Sequence, residues 1–381
     1  PSLLTEQPLE LRLALLDFIA DFANWDNSTD PAYLETARAL VGVKRSEWFP
    51  QLSLNHVGKE ERVSESSFSA SLPPGFPTPK TQRDSYHTSF DMGFEVDVWG
   101  RVRRSVESAR ASEQSAMDTL SAQRLTIAAE VARLFFLLHS SDAQAQIVRE
   151  TIKLRQEALN LQDSRFKGGL ANEMDVARAR TELELAKNDL AVVERQRGSA
   201  EHALAVVCGQ LPSEFRVGPD KSLPSPPSVP PGLPSQLLQR RPDIRAAEQS
   251  LRSANAEIGV ATASFFPTFK LIGSGGYQTI GTEDFFNWLN RVLSIGPSIS
   301  APLFTGGRLK SNLAASKSKY DETLASYKQS IIVALRDVEE ALLDLRTYAT
   351  QRTAVNAALT AANDTSRLAR LRYDKGLASY F

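Results

Sequence analysis

The stretch "FDMGFEVDVWGRVRRSVESAR", residues 90–110, changes its period in the middle. Up to Trp99 the apolar residues fall on every second position. Phe90, Met92, Phe94, Val96 and Val98 alternate with Asp91, Gly93, Glu95 and Asp97. That is the pattern of a strand with one apolar and one polar face. After Gly100 the apolar residues recur at every third or fourth position, the spacing of an amphipathic helix. The junction of the two periods predicts a strand that runs into a helix with no loop between.

The same junction occurs twice. "GRVRRS" at 100–105 recurs as "GRLKSN" at 307–312, and "RFKGGL" at 165–170 recurs as "RYDKGL" at 372–377. Both pairs keep one offset without a gap, so the chain carries two copies of one unit. "FPQLSL" at 49–54 and "FPTFKL" at 266–271 mark the earlier strand of each copy. The first repeat is predicted over 1–210, with strands near 49–58 and 88–99 and helices near 101–164 and 173–208. Residues 211–235 hold the Pro-rich run "LPSPPSVPPGLP" and read as an extended linker. The second repeat is predicted over 236–381, with strands near 266–278 and 292–304 and helices near 242–264 and 307–373.

Leu293, Ile295, Pro297, Ile299, Ala301 and Leu303 alternate with Ser294, Gly296, Ser298 and Ser300. Segments of about ten such residues match membrane-barrel strands, and a soluble sheet with one wet face carries the same pattern. The helices separate the two cases. No Pro or Gly interrupts 101–164 or 308–374, so each rod is about 95–100 Å long if unbroken. Tyr327, Ile331, Ala334, Val338, Ala341 and Leu345 follow a seven-residue pattern; so do Ile127, Val131, Leu134 and Leu138, and Val176, Ala179, Leu183, Ala186 and Leu190. A sustained heptad is a coiled-coil seam. A further helix opens at "RRPDIRAAEQ", with Pro242 and Asp243 suited to its first turn.

A strand that continues as a helix lets a barrel continue as a helical cylinder. The polar strand face becomes a lumen and the apolar face meets lipid. Asp91, Glu95 and Asp97 then face the lumen and bias it toward cations, or serve as a solvated polar face. Gly100 and Gly307 tolerate the backbone transition, and Arg101 and Arg308 suit headgroups or water. Trp99 sits where an interfacial aromatic belt would be, and a core position suits it equally. Four strands cannot close a barrel around a channel, and an open edge in lipid leaves backbone groups unsatisfied. Several protomers must therefore share one barrel, and three would give 12 strands.

Composition narrows the alternatives. A net charge of −1 over 381 residues offers no electrostatic footprint for nucleic acid. No apolar run is long enough for a membrane helix. The lone Cys208 excludes an internal disulfide framework and suits a small apolar position. His56, His87, His139 and His202 lie in unrelated segments without ligand spacing, so no metal is expected. "GSGG" at 273–276 lacks the lysine of a phosphate loop. No cofactor site and no catalytic constellation emerge, and the chain does not read as an enzyme.

Three stretches carry a family resemblance: "FEVDVWGRVRRSVESARA", "LLQRRPDIRAAEQSLRSANAEIGVATASFFPTFKL" and "PLFTGGRLKSNLAASKSKYDETLASYKQSIIVALRDVEEAL". From about residue 37 to 381 the chain resembles the TolC-like outer-membrane efflux channels, in particular the NodT and OprM type of the lipoprotein branch. The resemblance implies a mainly α protein with membrane β, a homotrimer whose 12-stranded β-barrel continues as an α-helical periplasmic tunnel. It implies location in the outer membrane of a Gram-negative bacterium, contact with its lipid, and docking to a periplasmic adaptor protein and an inner-membrane pump. The helix-hairpin tips that touch the adaptor match Gly169 and Leu170, and Gly376 and Leu377. Asp175 matches an acidic position near the periplasmic aperture, and as part of "NEMD" it also suits a helix cap. Two departures accompany the match. The chain stops at the second tip, where the family continues with another helix, and the family's lipid-bearing N-terminal cysteine is absent. A soluble periplasmic coiled-coil scaffold or adaptor is the rival expectation.

Overall fold

The computed structural model describes residues 32–62, 64, 82–219, 240–281 and 284–374. In chain order these form α1 (Ala32–Ser46), β1 (Gln51–Arg62), β2 (Gln82–Val96), α2 (Arg101–Lys167), α3 (Glu173–Val207), α4 (Pro242–Ala263), β3 (Thr268–Ile280), β4 (Arg291–Ser300) and α5 (Arg308–Asp374). A single 3-10 turn, Trp288–Asn290, precedes β4. The greater part of the predicted 211–235 linker, from residue 220 on, lies outside the described residues. The chain divides into two compact units: Thr36–Asp118 with Leu233–Phe381, and Pro1–Glu35 with Thr119–Gly232.

The first unit holds the sheet. Its order is β1-β2-β3-β4, every pair antiparallel. Among the described residues β1 and β4 each keep one edge unpaired. β2 begins at Gln82, six residues before the alternation becomes visible, because β1 runs to Arg62 and pairs with it in register Arg62↔Gln82. That outer part is too polar to show a period-two apolar pattern. β4 ends at Ser300 rather than near 304, since Pro302 has no N–H to extend a ladder.

Helix α4 packs along α5. At the start of α4, the Arg241 guanidinium holds Asp243 at 2.7 Å and Asp337 of α5 at 3.2 Å. The hydrogen bond from Arg241 pulls the Asp243 carboxyl below its usual range. Arg245 pairs with the buried Asp118 at the end of this unit's part of α2. Small side chains let α4 approach α2 closely. Ser253 Oγ lies 2.9 Å from both Ser108 Oγ and Ser112 Oγ, and Ser115 Oγ reaches Ser250 Oγ and the Ala246 carbonyl at 2.9 Å. Every hydroxyl in that ladder has a partner, so the polar contact carries little desolvation cost.

The second unit is the hairpin of α2 from Thr119 onward with α3. The heptad residues Val131, Leu134, Leu138, Val176 and Leu183 are buried, as the spacing predicts, and Leu204 farther along α3 is buried as well. Val131, Leu134 and Leu204 form a cluster against Cys208, Phe215 and Val217. Burial pushes the Cys208 thiol up. Arg197 ties the hairpin together through Asp142 at 2.6 Å, Glu201 at 3.4 Å and the Val217 carbonyl at 2.7 Å. Arg149–Glu194 and Arg155–Glu182 bridge the two helices farther along. On α5 the heptad is covered where α4 packs against it, with Ala334 buried, whereas farther along the helix Leu345, Tyr348, Val355 and Leu359 are exposed.

Candidate functional site

The register sorts the sheet into two faces. One row across the four strands reads Leu52, Met92, Gly273, Ile295; the next reads Leu54, Phe90, Gly275, Leu293. Phe94–Leu271–Pro297 and Val96–Phe269–Ile299 continue the same face. These side chains point away from the protein's own core. Leu293 is 83% exposed, and Leu52, Leu54, Phe90, Val96, Ile295 and Ile299 are exposed as well. The opposite face carries the row Ser53, Asp91, Ser274, Ser294, with Ile272 and Val292 as apolar intrusions.

Aromatic residues gather at both ends of the apolar face. At the helix end, Trp99 stacks on Phe266 with centroids 4.7 Å apart and 22° between planes. Its Nε1–H donates to the Pro267 carbonyl at 2.8 Å. Trp99 thus spans both repeats while one side stays open. At the far end Tyr277 meets Phe286 at 5.6 Å, and Phe286 meets Phe285 at 5.0 Å.

The three acidic residues predicted for the lumen do different things. Asp91 lies on the polar face and accepts from Ser274 Oγ at 2.6 Å, from Ser89 Oγ at 3.1 Å and from Asn55 Nδ2. His87 Nε2 lies 3.1 Å from Ser89 Oγ. Because Ser89 donates to Asp91, that imidazole nitrogen donates to Ser89. Glu95 is drawn to Arg101, which donates at 2.8 and 3.1 Å and reaches Glu47 at 3.1 Å. Asp97 has left the strand. It accepts the backbone N–H of Val102 at 3.0 Å and of Arg103 at 2.9 Å, closing the first turn of α2.

The joins correct two expectations. Strand and helix are not continuous: residues 97–100 intervene in the first repeat and 301–307 in the second. Asp97 needs that space to turn back onto the helix amides, and Gly100 takes φ +80° to allow it. Arg101 is clamped between two carboxylates rather than free toward headgroups, and the hydrogen bond it donates to Glu95 holds its pKa above the usual value. Arg308 is exposed, preceded by Gly306 at φ +58° and Gly307 at φ +86°.

At the hairpin tip, Gly169 has φ +75°. Leu170 N–H donates to the Arg165 carbonyl at 2.8 Å and Gly169 N–H to the Phe166 carbonyl at 2.9 Å, the pair of bonds that ends a helix with a left-handed glycine. Leu170 itself is 76% exposed, with Phe166 and Met174 exposed nearby. Asn172 and Asp175 form a reciprocal capping box. That geometry gives the Asp175 carboxylate a capping role. Gly376 and Leu377 lie outside the described residues. Among the described residues no group of three or more His, Cys, Asp or Glu side chains could hold a metal, and no helix is long and apolar enough to cross a membrane.

Sequence reading missed the clamp of Arg101 by Glu47 and the serine ladder, because their partners are 54 and more residues away. The serines do stand at helical spacing in "SVESARASEQS", a signal of close packing available in the sequence.

Known proteins share this arrangement. The outer membrane efflux protein family matches residues 31–210 and 233–381. The solvent efflux pump outer membrane protein SrpC of Pseudomonas putida is 30% identical over 349 residues, 91% of this chain and 73% of that protein. OprJ of Pseudomonas aeruginosa is 29% identical over 354 residues, 91% of this chain and 72% of that protein. Among solved structures, the outer-membrane channel OprN superposes with a TM-score of 0.81 at 28% identity, covering 95% of this chain and 78% of that one. The match extends through both repeats, and the chain belongs to the outer membrane efflux protein family.

Proposed function

We propose that this chain is the outer-membrane channel of a tripartite efflux system, a passive conduit for small molecules across the outer membrane and periplasm. The carrying observation is the sheet: among the described residues, four strands with two open edges and an apolar face exposed in register from β1 to β4. In lipid an open edge costs several kcal/mol for each unsatisfied backbone group. Pairing β4 of one copy with β1 of the next removes every edge, and three copies make the 12-stranded barrel. From Val96 to Tyr86 the apolar face extends about 33 Å along the strand. At the tilt of about 35–45° usual for such barrels, that makes a band about 25 Å tall.

The polar face then lines the lumen, where Asp91, held by Ser274, Ser89 and Asn55, is the fixed negative charge at mid-height. Glu95 is balanced by Arg101 and Asp97 by the start of α2, so neither adds much cation bias. The exposed Leu170 supports docking of the hairpin tip to the periplasmic adaptor, with Gly169 fixing the turn that presents it. Leu377 is assigned the same role at the second tip by sequence. Asp175, committed to its cap, offers an aperture only its outer lone pairs.

Reconstitution tests the reading. The chain is expected to need detergent for extraction, to run as a trimer, and to give single-channel conductance in a planar bilayer. Water-soluble monomers without conductance would overturn it. Leu170→Ser is expected to lower crosslinking to the adaptor at least tenfold with trimer yield unchanged; an unchanged crosslinking yield removes the tip assignment.

A further inference from the structure

The loop between β3 and β4 lies at the end of the sheet opposite the strand-to-helix joins. It carries Phe286, Trp288 and Leu289, which are 78%, 68% and 87% exposed. So much bare apolar surface on one short loop does not suit water. Arg291, the first residue of β4, pairs in register with Tyr277 and shares the face of Leu293 and Ile295. Its guanidinium carbon lies 3.3 Å from the centroid of the Trp288 ring. Among the described residues no carboxylate pairs with it.

The other end of the same sheet is a control. There Arg101 is neutralised by Glu95 and Glu47. A cation left uncompensated on the apolar face, stacked on an exposed indole, is a different arrangement. Stacking covers a face of the guanidinium and leaves its in-plane N–H fork free, the geometry that binds a phosphate through two parallel hydrogen bonds. Near the membrane surface a charge on the lipid face costs little compared with the bilayer midplane, so one phosphate contact makes the position favourable.

We infer that Arg291, stacked on Trp288, binds the phosphate monoester of an outer-leaflet glycolipid headgroup, with Phe286, Leu289 and Tyr277 seated in the lipid around it. The inference rests on the reading that this end of the sheet faces the cell exterior. Phosphate supplies the missing negative charge, and the sugars that carry it present faces suited to the neighbouring aromatic rings. Acyl chains would lie along Leu293 and Ile295, on the same face of β4.

The test titrates the full-length trimer in mild detergent with a phosphorylated lipid A and with the same lipid after enzymatic dephosphorylation, followed by native mass spectrometry. Wild type is expected to bind the phosphorylated lipid about tenfold more tightly than the dephosphorylated one, the effect of one charge-assisted contact. Arg291→Gln should abolish that difference, Arg291→Lys should keep part of it, and Trp288→Ala should weaken binding about threefold. Equal binding of both lipids by wild type, or no loss in Arg291→Gln, overturns the assignment. Displacement of the lipid by equimolar inorganic phosphate overturns the lipid as ligand. Conducting trimers whose lipid binding ignores Arg291 sink this inference alone, whereas failure to form trimers removes it together with the channel reading.

Discussion

The two strand-to-helix joins start from the same Gly-Arg pair and are built differently. In the first, Asp97 caps α2, Arg101 bridges Glu95 and Glu47, and Trp99 stacks on Phe266. In the second, Leu303 and Phe304 are 97% and 92% exposed, Arg308 is exposed, and the start of α5 is held by Ser311 N–H on the Gly307 carbonyl and Arg308 N–H on that of Thr305. The difference follows from place in the sheet. β2 is central, so its join finds partners in its own chain; β4 is an edge, so its join has a neighbour on one side only. Repetition of sequence reproduces the backbone turn, and the surroundings decide what the turn touches. The first join is complete in one chain, and the second leaves apolar surface for an adjacent copy or for lipid.

The largest effect expected from that contrast is on assembly. Burying a Leu or Phe stabilises by about 1.5–3 kcal/mol, and a trimer repeats the site three times. Leu303→Ser combined with Phe304→Ser is expected to cut the trimer yield in detergent at least tenfold, with the helical circular dichroism of the chain unchanged. Full trimer yield would show that the second join is as self-contained as the first. Next in size is Asp97→Ala, which strips two helix amides of their acceptor and should cost about 2 kcal/mol of stability. Asp97→Asn, which keeps an acceptor, should recover at least half. Equal losses in thermal melts of the two variants would mean that charge, not capping, fixes the first join.

How much of this was legible in the sequence follows from the range of each interaction. Alternation in "FDMGFEVDV" and the heptads of α2 and α3 are local, repeated statements about burial, so they reveal a barrel-type strand and a hairpin seam. The ladder from Gln82 to His87 was invisible, because "QRDSYH" has no apolar period and is held as strand by its partner β1. Asp97 reads as one more polar strand residue, and its capping role depends on a four-residue bend that periodicity cannot show. The Asp91 network needs Asn55 and Ser274, on either side of it in the sheet, and neither neighbour is marked by spacing.

The smallest effect concerns the paired arginines. Arg101 is about a third exposed and bridges two carboxylates. Solvent screening limits such a bridge to about 0.5–1 kcal/mol. Arg101→Gln should therefore cost about that much in a thermal melt at low salt, and less at about 1 M salt, where the screening length falls to about 3 Å. Arg308→Gln, which removes the corresponding charge from a join with no carboxylate partner among the described residues, should leave the melt unchanged at either salt concentration. A matching loss from Arg308 would place a carboxylate of another copy beside it in the trimer. The second join would then be completed from outside by the same chemistry that completes the first from within.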